Sequence, residues 1–291
     1  MSSQWIADGI VLGCSYGLFA ASMGLIRQVA RFFDFSLAAV YTIAAYAAYA
    51  LRRQALSLPI AITAGVLLAI TLGLTAHTTV FRPLQRRRAT AEVLLLASLG
   101  LTIALDNAVS LIWGDATLAF PRLSSNDGLL IAGAHLTWPQ IRIVVIDGTV
   151  GLALWSVIRF TRFGMLLRAV SSDVELSRVR GIRVDRIISA TVAIASAIAA
   201  IVAMNNALDT DLVPLMGFNL ILLAAVSLIV GGIGSVGGAF CGGLLIAMTQ
   251  QFSASLLPIQ WQETIVFGLL IGFIFVRPTG ILGRPLPKTT V

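Results

Sequence analysis

The chain has 291 residues, 58% of them hydrophobic and 11% charged, with a mean hydropathy of +0.93. A soluble domain carries about 25% charged residues, so this composition excludes one, and nearly uncharged stretches of about 18 or more residues mark membrane-spanning helices. The net charge of +7 does not point to nucleic acid, because the 20 basic residues sit in short segments between apolar runs, where membrane orientation accounts for them.

The expected architecture is an all-α polytopic transmembrane bundle, a single transmembrane domain over 1–291. The N-terminal MSSQWIADGI lacks the basic n-region and small-residue cleavage site of a signal peptide. The first span is expected over 6–25, with Gly9, Gly13, Gly17 and Gly24 allowing close helix approach. A second apolar run, 35–51, follows Asp34, and a third covers 58–80 before FRPLQRRR. The fourth is 93–113. A polar loop, 114–139, holds Asp115, Asp127 and an SSND turn, and the fifth span is 143–160. A strongly polar loop, 162–186, separates it from the sixth, 187–208. An acidic loop with Asp209 and Asp211 leads to a seventh run at 215–229. The glycine run 231–243 opens an eighth, to about 252, and a last short run covers 265–276. The total is about eight or nine spans. Placing 162–186 in the cytoplasm puts most basic residues on that side, with Arg52 and Arg53 the misfit, and sets the N-terminus outside and the C-terminus inside.

Three features invite a functional reading. The glycine run, with Gly231, Gly232, Gly234, Gly237 and Gly238, lacks the lysine-bearing pattern of a phosphate-binding loop, and it reads as a hinge, a broken helix or a close-packing site. Asp34, His77, Asp106, Asn107, Asn205, Asn206 and Asn219 form a scattered intramembrane polar set. Ionisable groups in lipid are costly and default to functional candidates. Asp34, Asp106, Asn205 and Asn219 are the pathway candidates. Asp106, the deepest, is open to a pathway role or a helix–helix hydrogen bond. No metal-ligand spacing and no nucleophile–base pair stands out, and Cys14 and Cys241 fall inside apolar runs.

The third feature is the loop 162–186. Ser172 and Glu175 have capping-box spacing, Gly181 supplies a left-handed stop, and Arg178 and Arg180 suit the last turn. The spacing predicts a short helix over 173–180, with Leu176 able to reach Val179 and Ile182. So short a helix is marginal alone and needs a docking partner. An ordinary basic loop is the alternative.

This loop resembles the cytoplasmic loop of the branched-chain amino acid ABC transporter permeases, through Arg168, Ala169, Asp173, Gly181, Ile182, Asp185 and Arg186. FRPL at 81–84, LVPLMGF at 212–218 with the glycine run after it, and the closing RPTGILG at 277–283 are similar to further family motifs, in the same order. The segment DFSLA, 34–38, departs from the usual N-F-A-H-G, with Asp34, Leu37 and Ala38 replacing Asn, His and Gly. The resemblance implies a multi-pass permease subunit of an importer in the bacterial inner membrane, not an enzyme. Its implied partners are a second permease subunit, two ATPase subunits and an extracytoplasmic substrate-binding protein. It carries no cofactor itself, ATP and Mg residing on the ATPases. Arg168, Asp173, Glu175, Leu176, Val179, Gly181 and Ile182 are the implied coupling residues. Urea and short-amide permeases share the pattern. A stand-alone secondary transporter relying on Asp106 is the reading from another class.

Overall fold

The computed structural model describes residues 2–54, 56–119, 128–131, 133–277 and 279–283. Arg122, the SSND turn with Asp127, Pro278, Arg284 and Lys288 lie outside the described residues.

Small residues set the packing. Helix α1 (Ser2–Ala30) forms the axis of the bundle against α11 (Val236–Leu256). A Cβ added at Gly9, Gly13 or Gly17 would lie 2.8–2.9 Å from Met248, Leu244 and Phe240 respectively. The partner numbers fall by four as the glycine numbers rise by four, so the two helices run antiparallel with one four-residue row facing the other. Without an apolar driving force between helices in lipid, such backbone proximity is the main source of cohesion.

A second small-residue row governs α3 (Leu58–Ala76), which buries Ala61, Gly65, Ala69 and Gly73 against α2 (Ser36–Arg53) and α9 (Val184–Ala207). Gly65 sits under Met204 and the Ala44 carbonyl, and Gly73 under Ser196. Helix α3 continues through one π-helical turn, His77–Phe81, into α4 (Arg82–Arg86). Phe81 packs there on Phe32. Helix α5 (Ala91–Trp113) lies on α2, with Tyr46 edge-on to Trp113. Arg82 reaches Asp185 of α9 at 2.6 Å. Both side chains are well exposed, so solvent screening limits that pair to about 0–1 kcal/mol.

Two expectations are corrected at the 114–139 loop. It contains an antiparallel hairpin, β1 (Gly128–Ile131) with β2 (Ala134–Thr137), and it ends early because α6 runs Trp138–Phe160. Thr137 and Gln140 cap α6 reciprocally, and Pro139 fits the first turn. Gln4 holds the hairpin to α1 through two bonds to His135, to its carbonyl at 3.1 Å and from its amide at 2.9 Å. Leu118 and Leu212 form a two-bond bridge that ties the segment after α5 to the segment before α10 (Met216–Gly231). At the other end, Arg31 at the close of α1 donates to the Ser172 carbonyl.

Among the described residues, five helices are long and apolar enough to cross a membrane alone, and the pair α10–α11 makes a sixth candidate if counted as one. The sequence suggested about eight or nine apolar runs. The difference lies in α2, enclosed by protein and therefore free of the demands of a lipid-facing surface, in the bent pair, and in the short α12 (Gln262–Val276).

The α10–α11 break is a turn of 117° at the glycine run. Gly232 and Gly234 take φ of 107° and 98°, a region L side chains avoid. A Cβ at Gly231 would fall 1.9 Å from the Gly238 carbonyl oxygen. The tail then locks the turn, with Ile281 and Leu282 donating to the carbonyls of Val230 and Gly231. Ser235 caps α11 by accepting from the Gly238 amide. Gly237 alone of the five has both room for a Cβ and an ordinary φ, since Gly234 has the space but a φ of 98°. Gly231→Ala is therefore expected to lower the yield of monodisperse protein in size-exclusion chromatography, whereas Gly237→Ala leaves it unchanged.

Candidate functional site

At one end of the bundle the chain makes an elbow between α6 and α9. Thr161 caps α7 (Arg162–Ser172) by accepting from the Gly164 amide at 3.3 Å. Gly164, Leu167 and Val170 face inward. Gly164 is obligatory there, because a Cβ would strike the Ile158 backbone. Arg168 folds back to donate to the Ile158 carbonyl, fixing α7 against the end of α6. Asp173 is extended and breaks the chain into a second helix, α8 (Val174–Val179).

The sequence expectation for this cap is corrected. Ser172 ends α7, and the cap of α8 is Asp173, whose carboxylate accepts from the Leu176 amide at 3.0 Å. The stop is as the glycine suggested: Gly181 has φ of 80°, and the Ile182 amide donates to the Ser177 carbonyl. Ser177 is buried and Ile182 packs on the core. Leu176 and Val179 point away from the protein at 48% and 84% exposure, and Glu175 is exposed beside them. A short helix clamped at both ends thus presents two apolar side chains outward.

A second arrangement is internal. Asp147 of α6 has no exposed surface. It accepts from Ser15 Oγ of α1 at 2.8 Å and from Asn205 Nδ2 of α9 at 2.7 Å. Ser15 also reaches Asn206 Oδ1 at 3.2 Å, and Asn206 donates to Tyr41 of α2 at 3.0 Å. Four helices meet at this cluster. Nearer the hairpin, Asp8 accepts from Gln4 at 3.2 Å and from Gln140 at 3.4 Å. Asp8 and Ser15 are seven residues apart on α1, as are Gln140 and Asp147 on α6. Two helical turns on each helix therefore carry one polar seam inward from the hairpin.

The structure separates the other pathway candidates. Asp34 turns onto its own chain, accepting from the amide and hydroxyl of Ser36 at the start of α2. Asp106 is buried on the inward face of α5, and its Oδ1 has no hydrogen-bond partner among the described residues. Asn107 is exposed and bonds to Ile103 of its own helix, and Asn219 is exposed on α10. His77 is buried in the π turn. Only Asn205, with Asn206, joins the cluster. Asp147 was the missed residue, although an acidic side chain within IRIVVIDGTVGLALW carried the same signal that singled out Asp106.

A bundle of apolar helices, a glycine turn that bends two of them by 117°, a buried polar seam and an outward elbow define a multi-pass helical membrane protein. The family model described as "Branched-chain amino acid transport system / permease component" matches residues 5–275. Three relatives each pair 97% of this chain with 96% of their own length. The high-affinity branched-chain amino acid transport system permease protein LivH of Salmonella typhimurium and that of Escherichia coli (strain K12) are each 29% identical to it. The corresponding permease protein BraD of Pseudomonas aeruginosa is 30% identical. The chain belongs to this branched-chain amino acid permease family.

Proposed function

We propose that this chain is the transmembrane permease subunit of an ABC importer for branched-chain or related amino acids in the bacterial inner membrane. Residues 1–291 act as one permease domain beside a second permease subunit. A secreted binding protein delivers substrate at the hairpin end, and two ATPases holding ATP and Mg bind the elbow, within 162–186, on the cytoplasmic side.

The observation that carries this reading is the clamped helix α8, with Leu176 and Val179 exposed between two spanning helices. Two apolar residues at the tip of a rigid element make a docking knob, and a push on it is delivered to both α6 and α9. In this scheme Asp173 caps the knob, Gly181 stops it, Arg168 and Ile182 seat it on the bundle, and Glu175 flanks its outer face.

Gly181 tests it. A Cβ there meets nothing within 4 Å, so a substitution acts only through its φ of 80°. Asparagine tolerates that conformation and a β-branched residue does not. In the reconstituted importer, Gly181→Val is expected to uncouple ATP hydrolysis from leucine uptake at normal membrane insertion, and Gly181→Asn to keep them coupled. Normal uptake by Gly181→Val would count against the elbow as coupling element.

A further inference from the structure

The polar seam holds two charges in a way that its own hydrogen bonds do not explain. Asp147 is wholly buried, yet its oxygens meet the neutral donors Ser15 and Asn205 and, among the described residues, no ion pair. A buried carboxylate with no cation hydrogen-bonded to it is costly, and packing alone does not require one at this place. Arg142 lies five residues earlier on α6. Its Nε is buried with no hydrogen-bond partner among the described residues, and its Nη2 reaches the Asn205 carbonyl at the long distance of 3.5 Å. Arg142 is also within electrostatic range of Asp147 and Asp209. One residue, Asn205, therefore contacts both charges, its side chain on Asp147 and its backbone on Arg142.

Five residues along a helix are about 7.5 Å of rise and about 140° of turn, so what brings Arg142 and Asp147 to one place is Asn205, which touches both. The ammonium nitrogen and carboxylate carbon of an amino acid are about 2.5 Å apart, so one small zwitterionic head can meet a carboxylate and a guanidinium that flank a single residue. We infer that Asp147 and Arg142, bridged by Asn205, form a station for the zwitterionic head of an amino acid inside the permease. Asp147 takes the ammonium in place of Ser15 Oγ and the Asn205 amide, and Arg142 takes the carboxylate. The station reads the head group and leaves the side chain unread. The Gln4, Asp8 and Gln140 end of the seam faces the hairpin, the side from which substrate is delivered. The inference rests on the permease reading above.

The test uses the purified permease pair without binding protein, titrated with leucine, with 4-methylpentanoate (which lacks the ammonium) and with leucinamide (which lacks the carboxylate). The native pair is expected to bind leucine at least about tenfold tighter than either analogue, as the loss of one charge-assisted contact implies. Asp147→Asn removes the preference over 4-methylpentanoate and keeps that over leucinamide. Arg142→Gln does the reverse. Should Asp147→Asn not fold, the Arg142 arm decides by itself. A structural clasp would weaken all three solutes alike, and that result, unchanged selectivity in folded variants, or no leucine binding by the native pair would each overturn the station. If the complete reconstituted importer imports leucine in those cases, the permease reading stands; if it imports no amino acid, that reading fails first.

Discussion

Replacing both Leu176 and Val179 with aspartate is expected to abolish leucine uptake by the assembled importer while the protein still inserts and purifies as a monodisperse bundle. Both side chains are exposed, so neither change removes core packing. The Asp173 cap and the Gly181 stop are untouched, so the helix itself persists. The loss falls entirely on docking. Burying an unpaired carboxylate at the centre of an apolar contact costs about 2 kcal/mol or more, a factor of about thirty or more in affinity for each position. Uptake and ATP hydrolysis measured side by side in proteoliposomes check it. Wild-type uptake would mean that partners meet the permease elsewhere.

Gly243→Val carries the largest expected effect on the bundle. The first added carbon alone would lie 2.3 Å from the Gly17 backbone nitrogen, so α1 and α11 would have to part along the row that joins them. Overpacking of this kind costs about 1–3 kcal/mol where side chains can yield, and more where, as here, the obstacle is backbone. The expected result is little or no folded protein by fluorescence-detected size exclusion. Gly268→Ala is the matched control. A Cβ at Gly268 meets nothing within 4 Å, and its yield should equal that of the native chain.

The legible part of the fold follows from periodicity and composition. Apolar runs gave the spanning helices, and the glycines at 9, 13 and 17 gave the close face of α1, because a four-residue row of small residues has one physical use in lipid. Helix ends were less legible. The capping residues at Thr137 and Thr161 stand next to apolar or basic stretches that mask them, and Asp173 competes with Ser172 for the same cap. The missed α7 shows the same effect: its inward face is Gly164, Leu167 and Val170, spaced as a helix requires, inside a segment whose arginines dominate the eye.

The internal seam was least legible, for a different reason. Asp147, Ser15 and Asn205 are far apart in sequence, and their common cluster depends on the relative rotation of α1, α6 and α9. A single chain carries no local signal for that rotation. Asp106 and Asp147 look alike as sequence, yet among the described residues one has an oxygen without a partner and the other joins three helices.

The most direct measurement of the central claim is co-purification from the native host, with the order of residues 172–180 either native or scrambled. The account predicts that ATPase subunits come down with the native elbow and are lost with the scrambled one, while the second permease subunit is retained in both. A well-folded native protein that brings down no ATPase would contradict it and return Asp106, buried on α5 with an Oδ1 that has no partner among the described residues, to the centre of the mechanism.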